Sequence, residues 1–417
     1  MSNCFSFKEF TTDDVYNAIM SLKNSTCLDV YGLNAPIIKL ASNHIVEVLV
    51  YLFNLCIVNK YFPKVLKINK VVPVHKKGPM NLYVNYRPIS IIPIITKVFE
   101  KVLHKQIVAF LEDNSLFSER QFGFRRKRST IDAVQDLVNN CLENIETKNR
   151  VHFRSFDLSK AFDTVDHSIL VTKLSYYGFS DVLHFFMSYL ADRHQSVLYN
   201  GCLSETLPVS QGVPQGSILG PTLFILYVND LPANIADQGV SSYMFADDLG
   251  LNVYNRSDIV NSRVLKDKTV EIVNWCAANK LSLNQNKIVD LDFNINTSAH
   301  DASSTKFLGI NMQDNMKWVM HVDHVATQLA KGLFLLRVLK NKLSVDILLS
   351  VYYAHIFSHL NYGISIWGNS PPANRLFILQ KQAIRIICNI PTREHCKSHF
   401  IKLGVLTLPS TYILSVL

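Results

Sequence analysis

Two short runs constrain the fold more than any other part of the chain. VHFRSFDL (residues 151–158) and YMFADDLGL (243–251) both alternate with the two-residue period of a β-strand, and both carry aspartate where a strand should bury itself. In the first, Asp157 falls on the face of Val151, Phe153 and Ser155. In the second, Tyr243, Phe245, Leu249 and Leu251 flank the doublet Asp247-Asp248. An Asp doublet standing alone reads as a solvated hairpin turn. The apolar flanks argue otherwise, because half-buried carboxylates repel each other and lose their hydration unless a cation neutralises them. With Asp157 as a third carboxylate, the set offers few, hard oxygen ligands with room for water and phosphate, which suits Mg²⁺. Three carboxylates from two strands can hold two ions about 3.5 to 4 Å apart, an arrangement that activates an attacking hydroxyl and stabilises a leaving pyrophosphate.

Helical periodicity dominates elsewhere. After Pro93, Ile95, Val98, Phe99, Val102, Leu103, Ile107, Phe110 and Leu111 follow three-and-four spacing. A second helix is predicted from Ser129-Thr130, with Ser129 as N-cap and Asp132 near the positive end. From about residue 322 helices prevail, and Pro371-Pro372 separates the last of them. Strands and helices up to about residue 312, followed by an all-helical tail, predict an α+β fold with an appended helical subdomain. The most apolar long stretch, HIVEVLVYLFNLCIVNKYF, contains Glu47 and Asn54 and is expected to form a buried helix rather than a membrane span. The amino terminus lacks the order of a signal peptide.

Composition narrows the partners. The 417 residues carry 42 Lys and Arg against 33 Asp and Glu, a formal charge of +9 that favours a polyanion. Eight scattered cysteines without a C-x-x-C pair predict neither a disulfide framework nor a zinc ribbon, and point to a reducing, intracellular compartment. His395, Cys396 and His399 lack a second cluster to complete a tetrahedral site, and read as surface. Arg120, Arg125, Arg126, Lys127 and Arg128 interleave with Phe122 and Phe124, a pattern suited to phosphate contact and base stacking. A solvated face or a nuclear-import signal fits the same residues. Lys331, Arg337, Lys340 and Lys342 in the tail suit a groove for a nucleic-acid duplex, and equally the polar side of an amphipathic helix.

Seven blocks then occur in one order: NYRPIS (85–90), QFGFRRKRST (121–130), FDLSKAFDTVDH (156–167), GVPQGSILGP (212–221), FADD (245–248), NKLSLNQNK (279–287) and FLGI (307–310). Their order resembles that of reverse transcriptases of non-LTR retrotransposons, most of all the jockey-like branch. The resemblance implies a right-hand polymerase: a helical upstream segment at 1–57, fingers and a palm with an antiparallel sheet packed on helices within 58–312, and a truncated α-helical thumb at 313–417. It implies an RNA-directed DNA polymerase that extends a DNA primer with dNTPs on an RNA template, using two Mg²⁺ ions or Mn²⁺ in their place. By motif match Asp157 and Asp247 are the principal metal ligands and Asp248 supports them. Lys287 resembles the proton donor to pyrophosphate, and Arg87 the residue that grips the triphosphate, with Lys76 and Lys77 a looser match. Gln215 and Gly216 resemble the residues beside the templating pair, and Phe162 a steric gate against ribose. Arg125, Arg126 and Arg128 are the expected nucleic-acid contacts. No membrane association is implied, and the location is nuclear during integration or in a cytoplasmic ribonucleoprotein.

Departures from the pattern are also visible. NSTCLDVYGLN (24–34) lacks a glycine usual before Asp29, leaving Asp29 and Gly32 as partial matches, and the segment between Lys287 and FLGI is shortened. With neither an apurinic-type endonuclease before it nor a CCHC knuckle after it, the chain is expected to be a fragment of an element or a truncated copy. A catalytically idle RNA-binding remnant is the competing reading. The intact carboxylates, Phe162 and Gln215 argue against it, since a scaffold has no use for clustered charges that repel its own ligand.

Overall fold

The structure is a computed structural model that describes residues 4–295 and 302–417. Helices and mostly antiparallel sheets alternate along the chain, the α+β class that the patterning predicts. Eleven strands are found among the described residues: β1 Ile68–His75, β2 Tyr86–Ile91, β3 Arg150–Asp157, β4 Arg193–Tyr199, β5 Cys202–Leu203, β6 Leu207–Val209, β7 Val240–Phe245, β8 Asp248–Asn255, β9 Val289–Phe293, β10 Ser304–Phe307 and β11 Ile310–Gln313. The chain folds as two compact units, each discontinuous in sequence.

The first unit comprises Met1–Phe124, Leu158–Ile235 and Thr269–Asn284. Its centre is the helix Ile94–Asp113, which buries Val98, Phe99, Val102, Leu103, Ile107 and Leu111 as its periodicity requires. Phe99 stacks on Phe53 at 4.4 Å and on Phe62 at 5.4 Å between centroids, nearly parallel in both cases. A five-stranded sheet runs β2-β1-β4-β5 with β6 on β4, and pairs β1 parallel to β4 so that Asn69 lies opposite Gln195. The helix Leu219–Val228 is buried on nearly every side, consistent with its lack of charged residues.

Asp29 explains the partial match upstream. Its carboxylate accepts from Tyr31 N and Leu33 N at 2.8 and 2.9 Å, and from Ile94 N at 2.8 Å, so one side chain closes its own loop and caps the central helix. The apolar stretch beginning at His44 needs correction. Its helix, Ser42–Val58, buries Val46, Leu49, Phe53 and Ile57 but exposes Val48, Tyr51, Leu52, Leu55 and Val58. The stretch is apolar on most sides, yet only one face meets the core. No helix among the described residues is long and apolar enough to cross a membrane.

The second unit comprises Arg125–Asp157, Ala236–Lys268 and Gln285–Leu417. Its sheet is antiparallel throughout, in the order β7-β8-β3-β9. The helix Thr130–Glu146 packs on it and begins with a full capping box, in which Ser129 and Asp132 satisfy each other's backbone N–H. Asn252 on β8 donates to Asn140 Oδ1 of that helix at 3.2 Å. The tail is helical, and Val319–Leu339 packs against Asn374–Cys388 through Leu329, Leu333, Leu336, Ile384 and Ile387. The shortened segment between Lys287 and Phe307 falls partly on residues 296–301, outside the described residues.

Candidate active site

The predicted aspartates meet at one end of the second unit's sheet. Strands β3 and β8 pair so that Asp157 faces Asp248 directly and Ser155 faces Gly250. Opposed positions of this kind hold their Cβ atoms about 4.5 to 5.5 Å apart. The run YMFADDLGL is not one strand: β7 and β8 form a hairpin closed by two residues, Ala246 and Asp247, with Phe245 opposite Asp248. Each reading of the doublet therefore captures part of it, since it lies at a tight turn and both aspartates are half-buried.

The turn is strained. Ala246 takes φ +56° in the left-handed region, where an L-residue other than glycine costs about 1 to 2 kcal/mol. Gly250, two residues along the face from Asp248, answers a different demand. A Cβ there would lie 2.8 Å from Phe153 Cε2 and 2.9 Å from Phe307 Cζ, so glycine lets that aromatic pair close on the strand.

Like charges crowd Asp248 at this end. Burial, then the neighbouring Asp247 and Asp157, push the Asp248 carboxyl up to about 6, and Lys287 opposes them only in part. The Lys287 ammonium lies 2.8 Å from Asp157 Oδ2, and both groups are partly exposed. Hard carboxylate oxygens grouped in this way fit a divalent ion in donor type and charge. Among the described residues no group of three or more His, Cys, Asp or Glu side chains is gathered into a finished metal cage. The strands align the carboxylates, and Lys287 holds one of them.

The first unit assembles a second group around GVPQGS. Gly212 N donates to Val165 O and Val213 N to Phe162 O, each at 2.8 Å, and Ser90 N of β2 donates to Gln215 O at 3.0 Å. Gln215 Nε2 donates to Asp163 Oδ1 at 2.9 Å. Gly216 has φ +115°, and a Cβ there would sit 2.6 Å from Ser90 O, so only glycine fits. Phe162 is half-buried, stacks on Phe224 at 4.5 Å, and meets Phe124 edge-on at 6.3 Å. A cleft of about 300 Å³ opens here, lined by Ser90, Asp163, Arg193, Gln195 and Gln215 among others. Burial raises the Asp163 carboxyl, while the Gln215 bond and Lys160 lower it. Arg87 is exposed on β2, opposite Val74.

Thus Asp157, Asp247, Asp248 and Lys287 come together in one unit, and Phe162, Gln215 and Gly216 in the other. Arg126 is exposed and Arg125 and Arg128 half-buried in the segment leading to Ser129, within the second unit. Asp163 was not singled out by sequence reasoning. Its signal was available, as a carboxylate directly after Phe162 in a segment already tied to the site.

A family model for reverse transcriptase (RNA-dependent DNA polymerase) matches residues 74–312, more than half of the chain. The chain belongs to this family. Three Drosophila melanogaster relatives are similar along most of it: the probable RNA-directed DNA polymerase from transposon X-element (28% identical, covering 80% of this chain and 39% of the relative), that from transposon BS (27%, 92% and 45%), and the RNA-directed DNA polymerase from mobile element jockey (26%, 91% and 44%). The chain spans less than half the length of these curated relatives. A solved telomerase from Candida albicans, in complex with a fragment of telomeric RNA, matches at 12% identity and a TM-score of 0.49 over 88% of this chain and 69% of that one.

Proposed function

We propose that this chain is the polymerase portion of a jockey-like non-LTR retrotransposon protein, and that it extends a DNA 3′-hydroxyl with dNTPs on an RNA template. The observation that carries the reading is the register of β3 on β8, which sets Asp157 against Asp248 beside a two-residue turn that holds Asp247. Asp157 and Asp247 would hold Mg²⁺, with Asp248 in support. When bound, two ions supply charge stabilisation for the transferring phosphoryl group. Arg87 offers a guanidinium fork to the triphosphate. Lys287 keeps an ammonium beside Asp157, from which a proton can pass to the departing pyrophosphate. Phe162, backed by Phe224, limits the space at the sugar, and Gln215-Gly216 lies beside the templating pair. Residues 58–312 then correspond to fingers and palm and 313–417 to a thumb, with Arg125, Arg126 and Arg128 on the nucleic acid.

Primer extension by the purified chain on matched RNA and DNA templates tests this reading. Extension on RNA that requires Mg²⁺ or Mn²⁺ is expected. Binding of RNA without extension under either ion would leave the idle-remnant reading in its place.

A further inference from the structure

The sequence reading passed over Glu100, a fully buried carboxylate in the middle of the central helix of the first unit. It lies on the helix stripe of Thr96, Leu103 and Ile107, among apolar neighbours, where an ionisable group is rare unless fully partnered. Its partners come from two distant elements. Oε1 accepts from Tyr189 Oη at 2.7 Å. Oε2 accepts from Ile218 N at 2.7 Å, and Leu219 N is also directed at the carboxylate.

Ile218 and Leu219 open the helix Leu219–Val228, whose N-cap residue, Ile218, has no side chain able to cap. Glu100 therefore supplies from another helix the acceptor that Ser, Thr, Asp or Asn provides in most helices. Burial raises this carboxyl and its donors oppose the rise; its ionised form suits the positive end of that helix. Arg193, likewise buried, lies over the Tyr189 ring at 4.9 Å and donates Nη1 to Tyr189 O at 2.9 Å. Its Nε and Nη2 have no hydrogen-bond partner, so its charge depends on Glu100 for compensation across the buried network.

We propose that Glu100 is a positioning residue that fixes the Gln215-Gly216 turn by anchoring the backbone immediately after it. The turn has four attachments: Ser90 N on Gln215 O, Gln215 Nε2 on Asp163 Oδ1, the Phe162 and Val165 carbonyls before it, and Glu100 beyond it. Ser217 adds a local brace, accepting from Gly220 N at 2.8 Å. With the Glu100 attachment lost, residues 216 to 219 gain freedom while Gln215 keeps its bonds to Asp163 and Ser90. Under the polymerase reading, on which this inference rests, that looseness weakens nucleotide binding more than it slows chemistry, because Glu100 touches no reacting group.

The test compares wild type with Glu100→Gln, Tyr189→Phe and the double variant Glu100→Gln/Arg193→Met. Backbone hydrogen exchange is read at Ile218 and Leu219, alongside melting and steady-state extension. In Glu100→Gln those two amides should exchange at least about tenfold faster, and KM for dNTP should rise about tenfold with kcat changed less than about threefold. Tyr189→Phe, which keeps the Ile218 bond, should change exchange there less than about threefold. The double variant removes the uncompensated guanidinium, and should regain melting temperature but keep the raised KM and fast exchange. Recovery of KM together with stability would make Glu100 merely structural and overturn the proposal, as would unchanged exchange in Glu100→Gln. Inactive wild type would sink the polymerase reading instead, and exchange alone would then decide the anchoring by Glu100.

Discussion

Buried acid is used in opposite ways in the two units. Glu100 is wholly enclosed, and burial raises its carboxyl, but a hydroxyl, the field of a guanidinium and two backbone amides oppose that rise and each oxygen has a donor. Asp157, Asp247 and Asp248 are less buried: burial and then the two neighbouring carboxylates raise Asp248, and Lys287 opposes them in part. If the sheet end were only architecture, a satisfied network like that of Glu100 would be the stable solution. An acid raised by burial and by two like charges at a strained hairpin is one whose ionised form a bound cation would favour.

The strongest way to break this contrast is to neutralise the sheet end. Asp157→Asn or Asp247→Asn should reduce extension on an RNA template about 10²- to 10³-fold, since removing one element of transition-state charge stabilisation costs about 2.7 to 4 kcal/mol. Primer-template binding should stay within about threefold, because phosphate contacts by basic residues dominate it. Gel-based extension and equilibrium binding on the same preparations check both. Extension near the wild-type rate by either variant would return these aspartates to a solvated turn.

A smaller effect is expected at Phe162, in the first unit. Its ring is held by Phe224 and Phe124, so it is a wall with little freedom to yield. A ribose 2′-hydroxyl against that wall finds neither volume nor a hydrogen-bond partner. Phe162→Ala should raise ribonucleotide over deoxynucleotide insertion by about tenfold, or about 1.4 kcal/mol of lost discrimination. Single-nucleotide insertion with each substrate measures it, and unchanged sugar preference in an active variant would leave Phe162 as core packing.

What could be read from the chain follows the range of the interactions involved. The Ser129–Asp132 capping box and the buried stripe after Pro93 are set within a few residues, and both formed as expected. The face shared by Asp157, Phe153 and Ser155 needed only strand parity. The hairpin inside YMFADDLGL was hidden because alternation runs through it, and because its tight turn uses alanine where glycine or asparagine would have announced a left-handed residue. Glu100 carried a readable signal, a carboxylate on an apolar stripe, but its partners Tyr189 and Ile218 lie 89 and 118 residues away. The parallel pairing of β1 with β4 is equally non-local. The exposed face of Ser42–Val58 was illegible for a plainer reason: hydrophobicity alone does not say which side of a mostly apolar helix meets the core.

The mildest test asks whether Asp248 behaves as an acid held against its charge. Its carboxyl is raised from an ordinary 3.8 to about 6, so between those values the folded chain binds more protons than the unfolded one. Stability without divalent ions should therefore fall as pH rises through that window, the reverse of a salt-bridged aspartate. Asp248→Asn removes the titrating group, and its melting temperature should lack this slope and exceed that of wild type at pH 7 by about 2 to 4 °C. Adding Mg²⁺ should close the gap by stabilising wild type more than the variant, because only wild type has the extra charge for an ion to neutralise. Lowering the pH below about 6 should weaken the Mg²⁺ effect as protons compete for the same oxygen. Melting curves at three pH values, each with and without the ion, separate these outcomes. A wild type whose stability is flat in pH and indifferent to Mg²⁺ would mean that the carboxylates are already balanced, and the contrast with Glu100 would disappear.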